Sequence, residues 1–511
     1  MGESGGGKLK GMFRDTIFVL AGTYSSYFLS LIISIVLARK LSNHNYGVYS
    51  VMLGGYMQGT MALSLGLAPI IQRYLPEFLG RKNRSGALNL QWIGALGHLF
   101  GGIVLILLAW LFREPLSSWL NVPEWTGLLP YFALFTILKF EATVFDEMLT
   151  AHRSQAFRNA ATVGFQALKL TLFIGWLPSE GDVPLVGTLE LLFTFLALSN
   201  AVYLLAYLGR ILGLSRGIEG GGDSPLPVRR MVRYGLLQYA TSLTLIALYT
   251  DVDTWIISHY QQASVAGVYR IATQIVTALI ALVPMHLLLK VIVPVYVKEY
   301  TERQDKTQLA KVFQFYNKIV TVFLFPLLVG ALVLAEPLIV HIYDPKWIDA
   351  VSPFRIYFAA MVATHFLNTM SFLPLILERP EITLWSRLFL IYNIGMDFIL
   401  IPLDGPFGGA NGAAIATGSA LIFGYMLSFW MLRRHIRVRI PWPSNLRTIF
   451  FGLVMALCIW PLSAWIGGIP SLLGVIGIGI LVYGALAWRF HVFDGEESSR
   501  LNAAFGRRIF R

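Results

Sequence analysis

Cysteine is almost absent. Cys458 is the only one in 511 residues, so no disulfide can form within the chain. Charge is scarce as well: Asp, Glu, Lys and Arg make up 13% of the residues, against about 25% in an ordinary soluble domain, while 56% are hydrophobic. No polar stretch is long enough to fold as a soluble domain. The N-terminal residues MGESGGGKLKGMF lack the apolar core and cleavage pattern of a secretory signal. The first apolar block is therefore expected to serve as its own insertion signal. Gly2 to Lys8 has the spacing of a phosphate-binding loop, but Leu9 stands where Ser or Thr is required and no strand precedes it. That absence, with no nucleotide-binding domain around it, excludes the loop.

What is present is apolar sequence in blocks of about 20 residues, the length that crosses a ~30 Å hydrocarbon core as a helix. The fold class is all-α, a polytopic membrane protein. Fourteen spans are expected at 15–38, 47–72, 88–111, 127–150, 158–178, 186–208, 232–258, 266–294, 312–335, 352–377, 383–402, 411–432, 448–468 and 470–488. Gly467-Gly468-Ile469-Pro470 reads either as a tight turn or as a kink in one re-entrant segment. The net charge of +12 does not point to nucleic acid. Of the 40 Lys and Arg, 29 fall in alternate segments and only Arg39, Lys40, Arg113 and Lys346 in the others. That is the asymmetry of the positive-inside rule, with both termini cytoplasmic and an even number of spans.

The chain is organised around 36–51, VLARKLSNHNYGVYSV, an apolar run, two cations, a polar turn and a second apolar run. Residues 256–271, IISHYQQASVAGVYRI, repeat the plan, with Gly47 and Gly267 220 positions apart. A hairpin duplicated at that distance predicts two homologous halves. The break between them is the Gly-Gly-Gly-Asp-Ser-Pro run at 220–225. The expected organisation is a cytoplasmic tail at 1–14, a first lobe at 15–208 (spans 1–6), a linker at 209–231, a second lobe at 232–432 (spans 7–12), two further spans at 448–488 and a cytoplasmic tail at 489–511. Pro284, Pro294 and Pro326 are expected to bend spans 8 and 9.

The Ala38-Arg39-Lys40-Leu41-Ser42 and Tyr46-Gly47-Val48-Tyr49 turn, with the six-six-two plan, resembles the polysaccharide-transporter family of the multidrug/oligosaccharidyl-lipid/polysaccharide flippase superfamily. Leu400-Ile401-Pro402, the stretch Gly408 to Thr417 and Asn393 ahead of them extend the resemblance over nearly the whole chain. The resemblance implies a bacterial inner-membrane protein that flips an undecaprenyl-pyrophosphate-linked oligosaccharide repeat unit to the outer leaflet. Alternating access of two lobes around a cationic cavity would carry it, for O-antigen, capsule or exopolysaccharide synthesis. Its partners would be the polyprenyl-pyrophosphate-linked glycan, membrane lipids and the polymerase and chain-length machinery, with no nucleic acid and no cofactor beyond a proton or sodium gradient.

Two alternatives share the superfamily: a multidrug or cation antiporter, and a lipid-linked peptidoglycan-precursor flippase. An antiporter calls for an acid deep in lobe one, and span 1 offers only Asp15 at its edge. A membrane enzyme that polymerises glycans is disfavoured by the short outer loops. Asp251-Val252-Asp253 has the form of a glycosyltransferase acidic pair but lies inside an apolar span. The chain is read as a non-enzyme.

Ionisable residues inside spans carry the most information, because each costs at least about 2.5 kcal/mol at the bilayer centre. A pyrophosphate needs fixed positive charge, and the candidates are Lys139 in span 4, Lys169 in span 5 and Arg270 in span 8. Lys290, Lys318, Arg355 and Arg387 read as side chains that snorkel to an interface. Asp251 and Asp253 near the end of span 7, Asp397 in span 11 and Arg39 are gating or ion-coupling candidates. Asp253 is placed at the depth of Arg270 for a salt bridge, and Asn393 lies one turn before Asp397. The other acids inside spans are Glu141, Asp146 and Glu147.

Overall fold

The computed structural model describes residues 3–179, 185–218, 227–246, 250–281, 306–377, 379–437 and 439–490. Among these residues every regular element is helical, and ten helices are long and apolar enough to cross a bilayer. The protein is a multi-pass membrane protein. Its chain forms two compact units, Met1–Gly267 and Val268–Arg511. Lys290, Pro284 and Pro294 lie outside the described residues, as do 219–226 of the linker and the tail from 491 onward.

The first unit opens with α1 (Glu3–Lys40) and α2 (Asn43–Leu63). The turn between them is set by Ser42, whose Oγ accepts from the Asn45 amide at 3.1 Å and caps α2. Lys40 turns away from that cap. Its Nζ donates to the carbonyls of Ile174 and Leu177, satisfying the end of α7 (Gln155–Trp176). The expected second span, 47–72, is not continuous. It breaks after α2, where Leu65 and Gly66 take φ of 51° and 69°, and restarts as α3 (Leu67–Gly80). The cause is tertiary. A Cβ on Gly66 would lie 2.3 Å from the Gly235 carbonyl oxygen, so the backbone of α9 (Val228–Ile246) sits directly on the break. Only glycine tolerates both that φ and that contact.

Four more helices complete the bundle: α4 (Arg84–Leu111), α5 (Arg113–Leu120), α6 (Trp125–Ala151) and α8 (Leu185–Arg216). Asn83 caps α4 by accepting from Gly86 N at 2.8 Å. Span 7 is described as α9 and α10 (Thr250–Tyr260), and α11 (Ala263–Ala281) follows, with the division between units inside it.

α10 is strapped to the first half of α2 and to the end of α5. Trp255 Nε1 donates to Val51 O at 2.9 Å and Asn121 Nδ2 to Gln261 O at 3.0 Å. His259 stacks on Trp119 at 4.9 Å. The two duplicated glycines meet here. A Cβ on Gly47 would lie 1.7 Å from Ala263 O, and one on Gly267 would lie 3.0 Å from Gly47 N.

Beside this contact, His44 Nε2 and Glu124 Oε1 are 2.9 Å apart, outside the expected spans. The shared hydrogen bond holds the His44 imidazole above its usual 6.5 against partial burial. The same bond holds Glu124 below its usual 4.5. His44 therefore stabilises fully below 6.5 and loses that contribution as pH rises through its raised value. Glu124 stabilises above 4.5 and loses that contribution as pH falls through its lowered value. The pair contributes most between these bounds, by about 0.5 kcal/mol, since both side chains are partly solvated. His44→Gln should lower the melting temperature most near pH 6 and hardly at all near about pH 8, which thermal unfolding at the two pH values checks.

The second unit holds α12 (Lys306–Val333), α13 (Val351–Asn368), α14 (Pro380–Arg387), α15 (Phe389–Leu400), α16 (Gly409–Leu432), α17 (Trp442–Ser463) and α18 (Ile469–Arg489). α12 runs on through Pro326. The expected span 383–402 is divided between α14 and α15, while 467–470 is a turn between two helices, tied by Ser471 Oγ accepting from the amides of Gly467 and Gly468. Lys318 does not snorkel as its position suggested; it is buried in α12.

The last two helices dock onto α12 by a buried amide chain. Asn445 Nδ2 donates to Asn317 Oδ1 at 2.9 Å, and Asn317 Nδ2 donates to Thr369 Oγ1 at 2.8 Å. Tyr483 adds a bond to Val322 O at 2.8 Å. Asn445→Leu strands the Asn317 oxygen and should destabilise the fold by about 1–3 kcal/mol, read as a fall in melting temperature in detergent.

Candidate functional site

Two of the predicted cations converge. Lys139 lies near the middle of α6 and Lys169 in the second half of α7. Their ammonium groups flank one ring, with Lys139 Nζ 5.6 Å and Lys169 Nζ 4.4 Å from the centroid of Phe165. The two charges are thus at most 10 Å apart, the sum of those distances, and each is within electrostatic reach of the other. The ring face offsets part of the cost of holding cations in an apolar bundle, about 0.5–2 kcal/mol each. Both side chains are half-buried.

A polar string runs from this ring along α8 to an ion pair. Phe165 stacks on Tyr203 at 4.7 Å. Tyr203 bonds to Tyr207, whose hydroxyl donates to Asp146 Oδ1 at 2.8 Å. Arg158 stands 3.6 Å from that carboxylate and donates to Thr150 Oγ1 at 2.7 Å. Lys139, Lys169 and Arg158 stand with two acids, Asp146 and Glu147, the latter within electrostatic reach of Arg158. Basic groups outnumber acids by one, and the arrangement can attract an anion.

The other predicted residues are distributed elsewhere. Arg39 is exposed at the end of α1. Asp251 and Asp253 are buried on α10, where Asp251 Cβ would lie 3.3 Å from a Cβ built on Gly54. Arg270 is half-buried on the part of α11 that belongs to the second unit. Asp397 is fully buried on α15 and accepts from Asn393 Nδ2 at 3.3 Å. The pair expected between Asp253 and Arg270 would join residues of different units.

Sequence reasoning passed over His98, which is 2% exposed on α4. It stands in a glycine-rich stretch, with Gly94, Gly97, Gly101 and Gly102 around it, a pattern that marks close helix packing and makes a histidine there conspicuous.

Residues 225–352 match the family model described as "Polysaccharide biosynthesis protein". The curated relative "Lipopolysaccharide biosynthesis protein WzxC" of Escherichia coli (strain K12) is 22% identical over 479 residues, 90% of this chain and 86% of that one. Among solved structures, "Lipid II flippase MurJ, inward closed conformation" is similar at a TM-score of 0.68 and 15% identity, covering 93% of this chain and 99% of that chain. An inward-facing multidrug resistance MATE family transporter is similar at a TM-score of 0.63 and 14% identity, covering 81% and 94%. The chain is thus similar to polysaccharide-biosynthesis proteins in its matched segment and along the curated relative, and it shares the fold of the MurJ and MATE structures.

Proposed function

We propose that the protein flips an undecaprenyl-pyrophosphate-linked oligosaccharide repeat unit from the cytoplasmic to the outer leaflet of a bacterial inner membrane. The convergence of Lys139 and Lys169 on Phe165, inside a bundle of membrane-crossing length, carries the reading. A pyrophosphate is the anionic group on such a lipid, and two fixed ammonium groups in a low-dielectric surrounding match it. Likeness to a protein named for lipopolysaccharide biosynthesis supports the glycan class. Arg158 would receive the head group first, near the end of the polar string that faces the basic segments, and hand it to the lysine pair.

In this reading the fourteen spans form two six-helix lobes and an added pair, with both termini cytoplasmic. Arg270 supplies positive charge from the second lobe. Asp251, Asp253, Asp397 and Arg39 act at the gates or in ion coupling, and Asp253 pairs with Arg270 in one of the two access states. The contact of Gly47 with Ala263 would close the outer side.

The test is a deletion strain whose polyprenyl-linked intermediates are extracted and assigned to a leaflet. Accumulation of one complete lipid-linked repeat unit on the cytoplasmic face, cleared by the wild type, supports the reading. Accumulation of the lipid-linked peptidoglycan precursor instead would move the substrate to that class. No lipid-linked intermediate, with sensitivity to cationic drugs, would overturn the flippase.

A further inference from the structure

Among the described residues, neither the Lys139 nor the Lys169 ammonium group has a hydrogen bond or an ion pair; each faces the ring of Phe165. Asp146 acts on Lys139 only from a distance. Where the two charges sit is therefore governed by where that ring lies. Phe165 is buried, and it does not hold its angle unaided.

Tyr203 of α8 holds the ring. It is 8% exposed and stacks on Phe165, with centroids 4.7 Å apart and planes 30° from parallel. Its hydroxyl lies 3.0 Å from Thr162 Oγ1. Thr162 is three residues before Phe165, on the same face of α7. Tyr203 thus grips α7 at two points one turn apart, one through the ring and one through the hydroxyl. The hydroxyl also bonds to Tyr207, one turn further along α8, where the two rings are 4.1 Å apart. The end of this chain sets its direction. Tyr207 donates to Asp146 Oδ1 at 2.8 Å, and a carboxylate only accepts. Tyr203 therefore donates to Tyr207 and accepts from Thr162. Bonds that run one way polarise and strengthen one another. A leucine would fill much of the same space; the flat ring and its two hydroxyl bonds add an orientation.

We propose that Tyr203 is a positioning residue: acting through Phe165, it sets the spacing of the two ammonium groups and makes the site select a diphosphate head group over a monophosphate. A diphosphate gains from both cations at once when they are already in place. A monophosphate gains nearly as much from one. Without the clamp, a diphosphate would have to order both lysine side chains as it binds, and that entropic cost falls on it more heavily. Specificity is a difference of affinities, so loosening the ring lowers the ratio between the two lipids rather than both alike. The inference rests on the transport function proposed above, to which it adds the residue that fixes the choice of head group.

The first measurement reads position and uses no substrate. A short apolar reagent with two amine-reactive ends is applied to the full-length protein in vesicles, and the joined peptides are identified by mass. It should join Lys139 to Lys169 in the wild type. The yield in Tyr203→Leu should fall at least about fivefold, while Tyr203→Phe, which keeps the stack, should stay within about twofold of the wild type. In Tyr203→Phe no buried hydroxyl is stranded, because Thr162 donates to the Arg158 carbonyl at 2.8 Å and Tyr207 keeps Asp146. The second measurement is flipping of diphosphate and monophosphate polyprenyl lipids by the same preparations. The ratio of their rates at low lipid concentration should fall at least about fivefold in Tyr203→Leu and hold in Tyr203→Phe. A merely structural defect lowers both rates together and leaves the ratio alone. Should Tyr203→Leu not fold, Tyr203→Met fills the volume without a stacking face and takes its place. No joining in the wild type, equal joining in the wild type and the variant, or an unchanged ratio overturns the proposal and leaves the flippase reading standing. Joining lost as expected, in vesicles whose wild type flips neither lipid, overturns the flippase reading and leaves the positioning by Tyr203 standing.

Discussion

Gly47→Leu should abolish the contact between the two hairpins and reduce transport at least about tenfold. Even the first carbon of a side chain at 47 would sit 1.7 Å from the Ala263 carbonyl oxygen, well inside any non-bonded distance. The atom it meets is backbone, so no rotamer change relieves the clash. The cost is that of severe overpacking, about 3 kcal/mol or more. α10 must then lift from α2 and α5, taking with it the Trp255 and Asn121 hydrogen bonds. Gly267→Ala is the milder control, because its nearest contacts are 2.9 Å and 3.0 Å. The check is a cross-link between cysteines placed at Asn121 and Gln261, in a Cys458→Ser background that removes the natural thiol. The cross-link should form in the parent and fail in Gly47→Leu. Equal cross-linking would show that the glycine contact is dispensable.

Replacing both Lys139 and Lys169 with Gln should lower flipping of a pyrophosphate lipid about a hundredfold or more. A hydrogen bond to a charged group contributes about 1.5–3 kcal/mol, so each lysine is expected to cost about tenfold or more by itself. The two sit around one ring and, in the proposed reading, act on one head group, so their effects should not be independent, and a double-mutant cycle should show coupling. Stability should move the other way. Two like charges held close in an apolar bundle repel each other and have lost hydration. The double variant is expected to melt no lower than the wild type. Loss of transport with unchanged or raised stability separates a binding role from a structural one. Thermal unfolding and a flipping assay on the same preparation make the comparison.

Much of this was legible in the chain itself. Apolar blocks of membrane length marked the helices, and the repeat of Gly47 in Gly267 marked the hairpins that the structure brings together. The interruption at Leu65 and Gly66 was not legible, because it depends on the backbone of α9 arriving at Gly235, a contact 169 positions away in sequence from Gly66. Hydropathy reads through such a break. Lys139 and Lys169 stood out as cations at positions where a charge is costly, but their shared ring, Phe165, did not: one phenylalanine among 34 carries no signal until packing selects it. Lys318 shows the converse, since depth in a helix does not tell whether a lysine can reach the interface or is enclosed by neighbours. Glu141 was visible as an acid inside a span, whereas the absence of a hydrogen-bond partner at its Oε1 is a property of packing alone.

The proposed function requires that the lysine pair move a pyrophosphate-bearing lipid. The most direct measurement is leaflet assignment of a fluorescent polyprenyl-pyrophosphate oligosaccharide in vesicles that contain the purified protein. The wild type should equalise the lipid between leaflets, the double Gln variant should fail to do so, and a neutral polyprenol should not be moved by either. Equal movement by the wild type and the double variant, or no movement by the wild type, would contradict the account.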